Sequence, residues 1–106
     1  MTAAGFGKFL LKARQQAGLS QAALASKCKI TQSYLNRLET SGAEPPGRDL
    51  CRRIALALDT DGSELWKQAF ISRAKRWLLK EGYTQVEVKR LLDLLESLEN
   101  RRGSST

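Results

Sequence analysis

Apolar residues recur along this chain at helical spacing, and nowhere do they alternate as a half-buried strand requires. Phe6, Phe9, Leu10, Ala13 and Ala17 form the first such run, and Gly18 stops it. Ser20 stands where it can cap a second helix, with Ala23, Leu24 and either Cys28 or Ala25 on the inner face. Thr31 can cap a third, with Tyr34, Leu35 and Leu38 as its apolar positions. The stretch from Thr40 to Gly47 carries Ser41, Gly42, Pro45 and Pro46 and reads as a loop. A fourth helix is predicted from about Arg48 to Leu58, burying Leu50, Ile54, Ala57 and Leu58.

A break at Asp59-Thr60-Asp61-Gly62 precedes a helical hairpin. Ser63 can cap its first helix, whose inner face is Trp66, Phe70, Ala74, Trp77 and Leu78, with Gly82 at its end. Thr84-Gln85-Val86-Glu87 is a capping-box pattern, in which hydroxyl and acid each satisfy the other's backbone N–H. The last helix carries Val88, Leu91, Leu92, Leu95 and Leu98, and Arg101 to Thr106 reads as a frayed tail. The expected fold is all-α, with a four-helix domain over residues 1–61 and a C-terminal hairpin over 62–106. Two short helices joined by a tight turn cannot bury themselves, so the flanking helices are needed to close a core.

Charge adds a partner class to this outline. Eighteen Lys and Arg oppose eleven Asp and Glu, a net +7. That excess favours an anionic partner, nucleic acid first and an acidic protein or membrane surface second. It does not locate a surface: nine basic and five acidic residues precede residue 62, and nine and six follow. The chain has no histidine, which removes the commonest general base and metal ligand. Cys28 and Cys51 lack any CxxC spacing, so no zinc site is expected. Each falls on the apolar side of a helix, as buried thiols do in a reducing cytoplasm.

No nucleophile–base pair and no Gly-rich phosphate loop is present, so no catalytic residue, metal or cofactor is expected. The residues after the break leave little room for a small-molecule pocket. No apolar run reaches the length of a membrane span, and the N-terminal stretch is too short and broken for a signal peptide. A cytoplasmic location is expected.

The combination is more specific than its parts. Leu10 and Arg14, Gly18-Leu19-Ser20-Gln21, Leu24-Ala25, Ile30-Thr31-Gln32-Ser33, Leu38-Glu39, Leu50, Ile54-Ala55 and Ala57-Leu58 follow in order. This series resembles the Cro/phage-repressor type of helix-turn-helix DNA-binding protein, from residue 6 to about residue 60. The resemblance implies a lambda-repressor-like domain whose third helix lies in the major groove, while the second crosses the backbone. It also implies that Gln21 and Gln32, each opening a helix after a hydroxyl, touch each other. Gln32 would then read an adenine and Gln21 grip a phosphate. A glutamine amide offers one donor edge and one acceptor, matching adenine N6 and N7; the other reading of Gln32 is a solvated first-turn residue.

Ser33, Asn36 and Arg37 continue that face, so the base-reading set is Gln32, Ser33, Asn36 and Arg37, with Arg37 open between guanine and phosphate. Beside Gln21, the phosphate candidates are Lys29, Thr31, Tyr34, the backbone N–H groups of Thr40, Ser41 and Gly42, and Arg48. Tyr34 can instead flank a thymine methyl or pack at the turn. Arg14 and Glu39 resemble a buried ion pair of the family, joining the first helix to the end of the third. Lys29 departs from the pattern, since glycine is common there and a side chain at positive φ costs on the order of 1 kcal/mol. The loop from Thr40 to Gly47 is longer than the shortest family versions. Lys8, Lys12 and Lys27 read as solvated.

A single copy reads about four or five base pairs, too few to find one site in a genome. A homodimer on an inverted-repeat operator is therefore expected, with double-stranded DNA as partner and half-sites about one helical turn apart. Val88, Leu91, Leu92, Leu95 and Leu98 approach a two-heptad seam and supply a dimer or partner face; the other possibility is packing on the chain's own domain. Lys67, Arg73, Lys75, Arg76 and Lys80 read as a solvated basic face. The expected function is a transcriptional regulator, a repressor or a phage or mobile-element control protein. Two other readings share the pattern: an antitoxin that binds its own promoter and covers a toxin, and a protein-interaction module that keeps the fold.

Overall fold

The computed structural model describes residues 5–40 and 43–104, and they form six α-helices with no strand among them. These are α1 (Phe6–Gln16), α2 (Gln21–Cys28), α3 (Gln32–Thr40), α4 (Arg48–Leu58), α5 (Gly62–Lys80) and α6 (Gln85–Ser104). Contacts divide the chain into two compact units, one ending at Arg73 and the other beginning at Ala74.

In the first unit α1 packs on α3, and α2 packs on both α3 and α4. Leu10, Leu24, Leu35, Leu38 and Ile54 are fully buried where these helices meet. The helix ends follow from local chemistry. Gly18 takes a positive φ of 73° after α1. The Ser20 hydroxyl accepts from the Ala23 N–H at 3.0 Å, and the Thr31 hydroxyl accepts from the Tyr34 N–H at 3.0 Å. Between them Lys29 adopts φ 58° and ψ 44°, the left-handed conformation that glycine enters most easily. The Ile30 N–H reaches back to the Ala25 carbonyl and the Lys29 N–H to Ser26, which closes α2 in a Schellman turn.

The start of α5 differs from expectation. Asp61, rather than Ser63, supplies the cap: its carboxylate accepts from the Ser63 N–H at 2.9 Å and from its hydroxyl at 3.0 Å. The inner face is also rotated. Leu65 and Ala69 are buried in the first core, and the Ser72 hydroxyl accepts from the Phe6 N–H at 2.9 Å. Phe70 and Trp77, expected inside, are 47% and 56% exposed. One residue of offset turns a helix by about 100°, and the core admits Leu65 and Ala69, with Trp66 packed half-buried against it as expected, while Phe70 stays outside. By its contacts the first unit runs through the Asp59–Gly62 break and ends at Arg73.

The second unit contains the end of α5 and α6, joined through Gly82 at φ 103°. The capping box is closed in both directions: Thr84 N–H donates to Glu87 at 2.9 Å, and Glu87 N–H to the Thr84 hydroxyl at 3.1 Å. Val88 is only 1% exposed, so it is withdrawn from the outward face on which it was expected. Leu92 and Leu95 are half-buried, whereas Leu91, Leu94 and Leu98 are exposed. The α-helix continues through Arg101 to Ser104, where a frayed tail was expected. No helix among the described residues is long and apolar enough to cross a membrane.

Candidate nucleic-acid interface

Helix α3 has two sharply different sides. Leu35, Leu38 and Glu39 are buried, while Gln32, Ser33, Asn36 and Arg37 are exposed. Residues at i, i+1, i+4 and i+5 share one face of a helix, so the structure brings all four base-reading candidates onto one edge. Tyr34 lies at its margin, half-buried against the core, with the Arg37 guanidinium 5.7 Å from its ring centre. That stacking holds Arg37 along the helix while leaving its donors available.

Behind this edge lies a polar network. Arg14 Nε donates to Glu39 Oε2 at 2.6 Å and Nη2 donates to Oε1 at 3.1 Å, a bidentate pair. The two side chains are 12% and 3% exposed. The third arm, Nη1, donates to the Leu19 carbonyl at 2.8 Å, tying the α1–α2 connection to α3. The hydrogen bond to Glu39 raises the Arg14 pKa further above its ordinary value. Gln21 joins the same network: its Nε2 donates to Glu39 Oε1 at 2.8 Å and to Asn36 Oδ1 at 3.1 Å. The partners of the Gln21 amide nitrogen are thus Glu39 and Asn36, not the Gln32 contact that the resemblance implied.

The phosphate candidates are in unequal positions. Lys29 is exposed at the tip of the α2–α3 turn. The Thr31 hydroxyl accepts the capping bond, so its own proton is left for a phosphate oxygen. The Thr40 hydroxyl donates to the Asn36 carbonyl at 2.9 Å, within the helix. Arg48, at the first turn of α4, lies with its guanidinium 5.7 Å from the Trp66 ring centre. Ser41 and Gly42 lie outside the described residues.

Several supporting residues carried no signal in the apolar pattern. A Cβ on Gly7 would stand 2.6 Å from the Glu39 carbonyl oxygen and 2.7 Å from that of Leu38, so α1 meets the end of α3 backbone to backbone. Arg53 Nη1 donates to the Cys28 carbonyl at 2.8 Å, satisfying an end-of-helix acceptor of α2 from α4. Arg73 lies 5.5 Å from the Trp66 ring centre on its own account, and its Nη2 donates to the Pro46 carbonyl at 2.6 Å and that of Pro45 at 3.2 Å. The sequence pattern predicts Trp66 as core and Arg73 as solvated surface, and it marks neither Gly7 nor Arg53. Contacts of this kind join residues too distant in sequence for spacing to reveal.

The cysteines have no part in the exposed edge. Cys28 and Cys51 are buried free thiols. Burial raises the Cys28 pKa and pushes that of Cys51 up to about 11, so both stay protonated at neutral pH. A buried protonated thiol is a poor nucleophile and a poor metal ligand.

No curated protein shows a significant match to the chain. Residues 6–66, more than half of it, match the family described as the helix-turn-helix domain. The match begins with α1, takes in the α2–turn–α3 pair and ends at the ring that Arg48 and Arg73 flank. The chain therefore belongs to the helix-turn-helix domain family, a membership that points to DNA binding and to transcription regulation.

Proposed function

We propose that this protein is a sequence-specific regulator of the Cro/phage-repressor branch that reads the major groove of double-stranded DNA with α3. The observation that carries the reading is the exposed edge of Gln32, Ser33, Asn36 and Arg37 on a helix whose opposite side is anchored by Leu35, Leu38 and the Arg14–Glu39 pair. A reading helix needs both: donors and acceptors for base edges, and a fixed orientation from which to offer them. Gln32 opens the helix and reads adenine. Ser33, Asn36 and Arg37 reach further along the groove and its wall. Lys29, Thr31 and Arg48 hold phosphates around it, and the net charge of +7 supplies the sequence-independent attraction.

The protein acts as a homodimer on an inverted repeat and represses transcription, in a phage, a mobile element or their host. The dimer reading is supported by the exposed leucines of α6, Leu91, Leu94 and Leu98. The same stripe also suits a different protein, which keeps the antitoxin reading as the second one: a regulator of its own promoter that covers a toxin with α6.

The test is selection from randomised duplex DNA with the purified protein. The expected result is an inverted repeat with half-sites about one helical turn apart. Gln32→Ala is expected to weaken binding to that site by roughly 1–3 kcal/mol and to relax preference at one base pair. Enrichment of no motif at moderate salt would remove the regulator reading and leave the fold serving a protein partner.

A further inference from the structure

We propose that Gln21 is a positioning residue that passes the orientation of the Arg14–Glu39 pair to Asn36, and that Asn36, not Gln21, offers side-chain amide protons to the nucleic acid. The proposal rests on the reading of α3 as the DNA-reading helix. It follows from counting hydrogens. The Glu39 carboxylate, held by Arg14 through both oxygens, has acceptors only. The Gln21 atom 2.8 Å from Glu39 Oε1 must therefore be the amide nitrogen. The same nitrogen lies 3.1 Å from Asn36, and an amide nitrogen is no acceptor, so the Asn36 atom facing it must be the oxygen. The flip state of both amides is thus dictated by a buried charge, one link from Gln21 and two from Asn36, not by the exposed groups around them.

An amide nitrogen carries two hydrogens, and Gln21 gives one to Glu39 and one to Asn36. Only its oxygen remains, an acceptor, while phosphate oxygens also only accept. Gln21 cannot grip a phosphate through its side chain while this network stands. Asn36 is exposed, and with its oxygen accepting from Gln21 its NH2 is the group left to donate. The matching ligand is a nucleic-acid acceptor: a phosphate oxygen, guanine O6 or N7, or thymine O4. Gln21, half-buried between the ion pair and α3, acts through Asn36.

A double-mutant cycle on the full chain separates this from an independent phosphate contact. Gln21→Ala and Asn36→Ala are each expected to weaken binding to the selected duplex by about tenfold. Because Gln21 works through Asn36, Gln21→Ala made in the Asn36→Ala background is expected to weaken it by no more than about twofold. Losses that multiply would overturn the proposal, since they mean that Gln21 touches the DNA by itself. Thermal unfolding of each variant identifies any loss that reflects folding. A second readout needs no DNA: side-chain amide exchange in the free protein, by NMR, is expected to be slow for Gln21 and fast for Asn36. Equally fast exchange of both would also overturn it. A loss confined to one base pair assigns the Asn36 partner to a base acceptor, and a loss uniform across sequences assigns it to phosphate. Failure of the wild-type chain to bind any duplex is a different result, because it removes the DNA reading as well.

Discussion

At Gly7 the absence of a side chain lets α1 lie directly on the carbonyls of Leu38 and Glu39. The atoms a methyl group would meet are backbone, at 2.6 and 2.7 Å, and they cannot swing aside as a side chain can. Gly7→Ala is therefore expected to destabilise the fold by about 1–3 kcal/mol, read from the denaturant midpoint. It is also expected to weaken DNA binding, because the same contact sets the end of α3. A midpoint within error of wild type would show that the helices separate without cost. Gly7 was invisible in the sequence, where it looked like one small residue in a run of apolar ones. The Arg14–Glu39 pair, by contrast, was expected from the resemblance. The pair is weak evidence for net stability, because desolvating two charges costs about as much as their attraction returns. Its role is to hold Gln21 and the end of α3 in one arrangement.

Among the elements, the α2–α3 turn is one place where sequence and geometry disagree locally. Lys29 holds a left-handed conformation that glycine adopts without steric cost. Lys29→Gly is expected to raise stability by up to about 1 kcal/mol. If the Lys29 charge neutralises a phosphate, the same substitution is expected to lower the salt dependence of DNA binding by about one unit of log–log slope. An unchanged slope would assign Lys29 to solvent. The α5 helix carries the opposite lesson. Its existence and length were legible from periodicity, yet its inward side was not. The sequence offers two interleaved apolar stripes, one through Leu65 and Ala69 and one through Trp66, Phe70 and Trp77. The core of the first unit buries Leu65 and Ala69 fully and takes only Trp66, half-buried, from the other.

At the scale of the whole molecule, α6 presents an apolar face to its surroundings. Leu91 and Leu98 are 44% and 54% exposed, and they stand seven residues apart on one helix face. Changing both to Asp is expected to leave the helical content unchanged, since neither residue is buried. The same double variant is expected to yield monomers by light scattering and to weaken binding to an inverted repeat. A wild-type chain that is already monomeric would refute the dimer reading and turn attention to a different protein on that face. A variant that stays dimeric would place the dimer contact elsewhere.

The helices themselves were local matters. Capping hydroxyls at Ser20 and Thr31, the Thr84–Glu87 box, the glycines at 18 and 82 and the 3.6-residue spacing of apolar positions act within one or two turns, so they can be read along the chain. The edge of Gln32, Ser33, Asn36 and Arg37 was legible for the same reason, since helix geometry alone puts those residues together. Partners across the fold were settled by packing: Leu65 over Phe70 for the inside of α5, Arg53 for the end of α2, and Val88 turned away from the outer face of α6. Gln21 belongs to this second group. Its position at the start of α2 follows from the sequence, but the identity of the atoms it offers depends on a carboxylate eighteen residues away that only the tertiary structure brings within hydrogen-bonding distance.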